Sequence, residues 1–449
     1  MALGGGTWLT QNKVLPGSYI NFSSVARASA ALSDRGYAAA PFNLSWGPEG
    51  KVFTVTSGDF QKNSKAIFGY GYDHPKMLPL REIFLHATTV YCYRLGADGK
   101  KAENDYATAK YPGVRGNDIT VTIAANVDTP EHWDVATYLD GIQVDLQEDV
   151  EKAADLVGND YVDFKAGAEL AATAGAELAA TAGEPLAGGA DATQIDGDAH
   201  QAFLDKIEPY AFNALCCPAA DATIVQLYSE FTERLRDEVG AKFQLVAWKP
   251  SKADYEGIIG VWNTATHATI QVDEQAIVYW ATGAHAGVAV NKSLTNTKYD
   301  GELILDTDIS QADLEAALKA GKFMFHNVNG DVRVLEDINT LLTLSDTKGE
   351  VFQSNQTIRV CDQIANDMAV IFNTRYLGTV PNDASGRASL WGDAVKLIQE
   401  LEKIRAVEDF DENIVTCEQG DKKKAVLLIV DGLNIVNAMA QLYMSVIIQ

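Results

Sequence analysis

The sequence predicts an α+β multidomain protein: an α/β core, interrupted by an inserted and mainly β domain, with an extended arm at each end. Three observations carry that prediction. Residues 199–350 alternate apolar strand runs with amphipathic helical periods, the pattern of βαβ units. Residues 96–198 show period-two alternation broken by turn residues, the pattern of a small antiparallel sheet. A strand run lies near each end of the chain, at Ser18–Phe22 and Leu442–Ile448. The first has no hairpin partner nearby; the second either pairs with Ala425–Val430 or leaves the subunit.

Taken in order, residues 1–24 form the amino-terminal arm, with a flexible Gly4-Gly5-Gly6 and a Pro16-Gly17 turn before the strand. Residues 25–95 follow as a core segment. Gly36–Phe42 is apolar, Lys51–Val55 alternates as a strand, Pro79–Thr88 reads as a helix and Thr89–Leu95 as a buried strand. The inserted domain spans 96–198. Ile119–Ile123 alternates, and Asp140-Gly141 between Ala136–Leu139 and Ile142–Val144 is a strong hairpin signal. The octet AGAELAAT then occurs at 166–173 and again at 174–181, followed by AGEPLAGG at 182–189. Three octets are too few for a solenoid, and Gly/Ala-rich composition reads as a surface loop grown by duplication.

The core α/β domain spans 199–350. A strand at Tyr210–Cys217, a helix with Ile224, Leu227, Tyr228, Phe231, Leu235 and Val239 on one face, and a strand at Phe243–Trp248 make a βαβ unit. A parallel pair follows from that unit. A helix at Gln311–Ala320 precedes a hairpin of Lys322–Val328 and Asp331–Leu335 turned by Asn329-Gly330. The carboxyl-terminal domain, 351–449, holds two helices. Ile358, Cys361, Ile364, Met368, Ile371 and Phe372 line one, and Leu390, Ala394, Leu397, Leu401 and Ile404 line the other. Strands at Ala425–Val430 and Leu442–Ile448 close the chain.

Composition narrows the function. The chain has 449 residues, enough for two or three cored domains, with 47% hydrophobic and 22% charged residues. With 36 basic and 61 acidic residues its net charge is −25, which repels nucleic acid and anionic membranes and discounts both as partners. Met1–Thr10 lacks the basic and apolar regions of a signal peptide. No apolar run approaches the ~20 residues of a membrane span. The five cysteines lack zinc spacing, and Cys216-Cys217 sits in an apolar run as buried small hydrophobes. Folding in a reducing cytoplasm is expected.

A search for chemistry finds no site. None of the seven histidines lies at metal spacing, and there is no Walker loop, Rossmann fingerprint or nucleophile elbow. Gly113-Val114-Arg115-Gly116-Asn117 lacks the strand-before, helix-after context of a phosphate cradle and reads as a structural turn. No catalytic residue, cofactor or metal is expected, and weight shifts to a structural role.

Several stretches, in order over nearly the whole chain, resemble the contractile phage tail sheath family, including sheaths of phage-tail-like bacteriocins. They are Pro16–Phe22 with Arg35-Gly36, Ala109–Ile119 with Leu186–Gly189, Gly321–Gly349 with Gly330–Val334 and Asn339–Leu341, and Val436–Met439 through Leu442–Val446. The octet repeat is the departure from the family. The resemblance implies a subunit that stacks as hexameric rings around an inner tail tube, bounded by baseplate and tail terminator proteins. It implies assembly in the host bacterial cytoplasm, and contraction that drives the tube through a target envelope. It also implies strand exchange between subunits through the arms. Tyr19, Ile20 and Phe22, with Tyr443, Val446 and Ile448, are the expected intersubunit arm residues. The family's carboxyl-terminal domain faces the tube, which makes Lys396, Gln399 and Lys403 the candidate tube-facing residues, opposite the apolar stripe of their helix. The rivals are a type VI secretion-like sheath, usually built of two different chains; a baseplate or adhesin protein, if 96–198 binds glycans; and an enzyme, which the absent site disfavours.

Overall fold

The computed structural model describes residues 32–165 and 177–448. The described chain divides into two compact units: Ser33–Asn366 with Leu401–Asp409 and the segment from Asn434 onward, and a smaller one of Asp367–Glu400 and Phe410–Leu433 together with Leu32.

The larger unit opens with β1 (Tyr37–Phe42), β2 (Val52–Thr56), α1 (Ser57–Phe68), α2 (Leu78–Phe84) and β3 (Thr89–Arg94). A mainly β section follows: β4 (Ala107–Ala109), β5 (Ile119–Ala125), β6 (Trp133–Leu139), β7 (Ile142–Val150), β8 (Val162–Phe164) and β9 (Thr181–Pro185). The chain then returns to α/β order with α3 (Gly197–Ile207), β10 (Ala214–Cys217), α4 (Ala222–Arg234), β11 (Gln244–Trp248) and β12 (Ile258–Val261). Next come β13 (Ala265–Thr266), α5 (Ile277–Gly287), β14 (Ile304–Leu305), α6 (Gln311–Lys319), β15 (Lys322–Phe323), β16 (Phe325–Val328) and β17 (Asp331–Val334). The remaining elements are α7 (Asn355–Ile371), α8 (Ala384–Lys403), β18 (Val407–Glu408), β19 (Val415–Gln419), β20 (Val426–Val430) and β21 (Asn434–Ile435).

The core is a seven-stranded sheet in the order β15-β12-β11-β10-β1-β3-β2, parallel throughout except for β2. Both faces are covered, which is why its strands are nearly continuous apolar runs rather than alternating ones. Ala38, Ala40, Ala214, Cys216, Val246 and Ile259 point to one face, packed by Phe60 and Phe68 of α1, Leu78 and Ile83 of α2 and Trp280 of α5. Ala39, Leu215, Cys217, Leu245 and Ile258 point to the other, packed by Phe203 of α3 and Tyr228 and Phe231 of α4. The parallel β10–β11 pair is the βαβ unit read from sequence. Cys216 and Cys217 are fully buried free thiols, and burial pushes Cys217 up to about 12.

Three helices, α1, α3 and α5, are absent from the periodic reading, and α1 and α5 escape it for opposite reasons. α1 buries only Phe60, Ser64 and Phe68 amid polar residues, a stripe too thin to count. α5 is buried on nearly every side and has no polar face to give it a period. It approaches α2 closely at glycine: a Cβ on Gly283 would lie 2.2 Å from the Ile83 carbonyl oxygen. Two details of the expected elements are corrected. Val239 is exposed rather than on the buried face of α4, because residues Leu235–Val239 form a wider π turn that rotates it away from Tyr228 and Phe231. The run Lys322–Val328 is two strands. Lys322–Phe323 joins the parallel sheet beside β12, and only Phe325–Val328 pairs in the hairpin, across Asn329 and Gly330, both at positive φ.

The mainly β section is a four-stranded sheet, β7-β6-β5-β9, with a β4–β8 pair beside it. Asp140 and Gly141 turn the β6–β7 hairpin, both at positive φ as a type I′ turn requires. Arg115, in the Val114–Asp118 turn, is buried and holds Asp140 bidentately at 2.7 and 2.6 Å while donating to the Gly69 carbonyl. The glycine turn is therefore structural: a Cβ on Gly113 would sit 2.1 Å from the Ser45 carbonyl oxygen.

The octet repeat is not simply a surface loop. Its described part, from residue 177, contributes β9, which pairs with β5, and buries Leu178 and Leu186 in the core of this section. Those leucines occupy the same place in successive octets. Excising 166–189 as one piece is therefore expected to leave a chain that fails to fold or melts far earlier, because it removes a sheet strand and two core leucines. A thermal melt equal to the parent's would show that β9 is dispensable.

Between α2 and the segment before β14, burial pushes the Glu82 carboxyl up to about 7, against the Glu302 amide and Tyr299 hydroxyl that donate to it at 2.6 and 2.8 Å. A carboxyl raised from 4.5 keeps its proton longer when folded. Its stabilisation is complete below about pH 4.5 and is lost as pH climbs through about 7, roughly 3 kcal/mol in all. Glu82→Gln is expected to remove that part of the slope, as read by urea unfolding at pH 4.5 and 7.5. Identical slopes for parent and variant would refute the assignment.

Candidate interaction site: the carboxyl-terminal arm and its anchor

In the larger unit the first three turns of α7 are buried although they are rich in polar residues. Asn355, Gln356, Thr357, Arg359, Asp362 and Gln363 all lie inside. The apolar stripe read from sequence is real but only partly buried: Ile358 is inside, while Cys361 and Ile364 are half-buried. The polar residues carry the organisation that the stripe does not explain.

Asp337 is the hub. Arg359 donates to its Oδ2 at 2.5 Å, the Leu294 amide at 2.9 Å, and Asn355 Nδ2 to Oδ1 at 3.0 Å. Gln244 of β11 in turn donates to Asn355 at 2.9 Å, tying the hub to the central sheet. Burial opposes charge on Asp337, but the Arg359 guanidinium outweighs it and holds the carboxyl down at about 2. Burial also pushes His285, whose Nδ1 lies 3.9 Å from Asp337, down to about 3, which keeps the imidazole neutral. Asp337 and Arg359 are thus an ionised pair with side chains 1% exposed.

One turn away, α7 grips the chain as it leaves the fold. β21 pairs antiparallel with β18, and the Val436 amide donates to the Ala406 carbonyl at 3.0 Å. The Gln356 side chain then takes over. Its Nε2 donates to the Val436 carbonyl and its Oε1 accepts from the Ala438 amide, each at 3.0 Å. One side-chain amide therefore does what a neighbouring strand would do. Asn437 is held by Ser354 at 3.1 Å and by Thr357.

Beyond Ala438 the arm is released. Tyr443, Val446 and Ile448 are 88%, 71% and 91% exposed, and Leu442 and Ile447 are similarly bare. The expected strand at Leu442–Ile448 is not formed among the described residues, nor does it pair with Ala425–Val430: β20 pairs with β19 instead. A lone segment without a ladder partner has nothing to make it a strand. Seven-tenths exposure or more for six large apolar side chains from Leu442 to Ile448, Met444 included, is a surface that water disfavours. Tyr19, Ile20 and Phe22 lie outside the described residues.

In the smaller unit, Leu390, Ala394 and Leu397 of α8 are buried, and Lys396 and Gln399 are exposed on the opposite side. Lys403, in the last turn of the same helix, is exposed too. The β19–β20 hairpin of this unit has both outer edges unpaired among the described strands, and Leu427 and Ile429 are about half exposed on its outer face. Among the described residues there is no cluster able to hold a metal, and no helix is long and apolar enough to cross a membrane. The sequence reading missed the polar half of α7 because polar residues at helical positions read as solvent-facing; only their crowding, six in nine residues from Asn355 to Gln363, signals otherwise.

Comparison with known proteins gives one answer. Family models match four consecutive segments: the tail sheath protein Gp18 domain III amino-terminal region at 35–95, the phage tail sheath protein beta-sandwich domain at 97–191, its central domain at 193–340 and the phage tail sheath carboxyl-terminal domain at 347–449. The phage-like element PBSX protein XkdK of Bacillus subtilis is 33% identical, over 82% of this chain and 81% of that protein. The crystal structure of a sheath tail protein from Desulfitobacterium hafniense is 34% identical with a TM-score of 0.76, covering 90% of this chain and 93% of that one. The helical sheath of the anti-feeding prophage in its contracted state, 12% identical with a TM-score of 0.56 over 97% and 99% of the two chains, shares the fold. The chain belongs to the phage tail sheath protein family and is a structural protein of a contractile tail or tail-like particle.

Proposed function

We propose that the chain polymerises as stacked hexameric rings around an inner tail tube, and that its contraction drives the tube through a target envelope. The observation that supports this reading best is the carboxyl-terminal arm: gripped at its root, bare beyond it, and matched by a hairpin with two open edges. Strand addition to an open edge supplies main-chain hydrogen bonds without demanding particular side chains. Neighbouring subunits can then tilt while staying joined. In this reading the section at 96–198 projects outward, baseplate and terminator proteins bound the stack, and assembly takes place in the host cytoplasm. Lys396, Gln399 and Lys403 face the tube. Exposed ion pairs are worth about 0–1 kcal/mol each and weaken with salt, which suits a contact that must break in concert.

Negative-stain imaging of the purified protein tests the proposal. Hollow cogwheel tubes are expected, and discrete particles under all conditions would refute it. Reversing Lys396 and Lys403 to glutamate is expected to leave tubes of the chain alone intact and to abolish extended sheath on tail tubes. Normal assembly on tail tubes at low and high salt would place the tube contact elsewhere.

A further inference from the structure

We propose that the lysine tip of the β19–β20 hairpin docks on the acidic base of the same hairpin in a second copy of this chain, setting head-to-tail polarity in the assembly. The proposal rests on the sheath reading above and adds which ends of the hairpin meet. The hairpin is charge-polarised. Its strands pair from Val415 with Val430 at the base to Gln419 with Val426 at the tip, four residue steps or about 14 Å apart. The tip loop, closed by the Gly420 amide on the Ala425 carbonyl at 2.9 Å, carries Lys422, Lys423 and Lys424, all exposed, against one Asp421. The base carries Asp411 and Glu412 just before β19, and Asp431 just after β20, whose amide donates to the Ile414 carbonyl at 3.0 Å.

Neither end is neutralised at home. Among the described residues, no ion pair joins Lys422, Lys423, Lys424, Glu412 or Asp431 to another side chain. Three adjacent lysines are conspicuous in a chain of net charge −25, where nearly any approach by a second copy brings acidic surface. Between the two charged ends lies a ladder with both edges open and an apolar outer face at Leu427 and Ile429. A two-stranded ribbon of this kind is marginal alone and has edge positions to offer a partner. A tip that meets a base is a heterologous contact, which repeats into rings when the rotation closes and into helices when it does not.

The test is a charge swap in the full-length chain. Lys422→Glu, Lys423→Glu and Lys424→Glu together are expected to raise the concentration for half-assembly about tenfold at low salt. That difference should shrink in high salt. Adding Glu412→Lys and Asp431→Lys to the triple variant is expected to restore assembly, while those two changes alone impair it. Circular dichroism and thermal melting confirm that each variant folds. Unchanged half-assembly in the triple variant, or failure of the swap to rescue it, overturns the proposal. A triple variant that assembles normally alone yet fails on tail tubes also overturns it, by assigning the lysines to the tube. A parent chain that forms no tubes at all would instead defeat the sheath reading itself.

Discussion

Replacing Arg359 with leucine is expected to destabilise the chain by roughly 3–5 kcal/mol, the range for removing one member of a buried ion pair. The charge left behind is what costs. Asp337 stays enclosed, and it loses the guanidinium that holds it ionised while keeping the Leu294 amide and Asn355 as partners. Urea unfolding at pH 7 measures the change. Arg359→Leu with Asp337→Asn should recover much of the loss, since the orphaned charge is then absent. A single variant within 1 kcal/mol of the parent would show that water reaches the hub. The acid limb has the opposite sign to that of Glu82. Asp337 is depressed from 3.8 to about 2, and its stabilisation is present above about pH 3.8 and disappears as pH falls through about 2.

Removing residues 439–449 is expected to leave the melting temperature unchanged and to abolish tube formation. None of the large apolar side chains from Leu442 to Ile448 is buried in the subunit, so their loss has no core to disturb. Removing residues 1–24 is expected to act on assembly in the same way. Electron microscopy and light scattering at matched concentration read the outcome; tubes of normal length from the shortened chain would mean that the arm is ornamental.

Much of the fold was legible because it depends on local rules. The Asp140-Gly141 and Asn329-Gly330 turns announce their hairpins, and the alternation at Ile119–Ile123 announces a half-buried strand. What resisted reading depends on three-dimensional company. α5 carries no period because the sheet and α2 enclose it. β9 hides in an alanine- and glycine-rich repeat because a strand beside β5 needs little more than a backbone and two leucines. The apolar run at Leu442–Ile448 is visible in the sequence, and the family resemblance is what makes Tyr443, Val446 and Ile448 candidate arm residues. Their anchor is not visible there, because Gln356 acts through hydrogen bonds to Val436 and Ala438, eighty and more residues away. A polar side chain with a distant backbone partner leaves no periodic trace.

The Gln356 grip also gives the arm an origin. With Val436 and Ala438 pinned to a buried helix, every residue from Met439 onward adds to a tether measured from a fixed point. The ten residues to Ile448 reach at most about 35 Å when fully extended. In the strand-exchange reading proposed above, the residues between Ala438 and Leu442 act as a ruler, because they bound how far from the Gln356 grip the apolar run can engage a second copy. Inserting residues between Ala438 and Leu442 would lengthen that distance while leaving both folded units untouched.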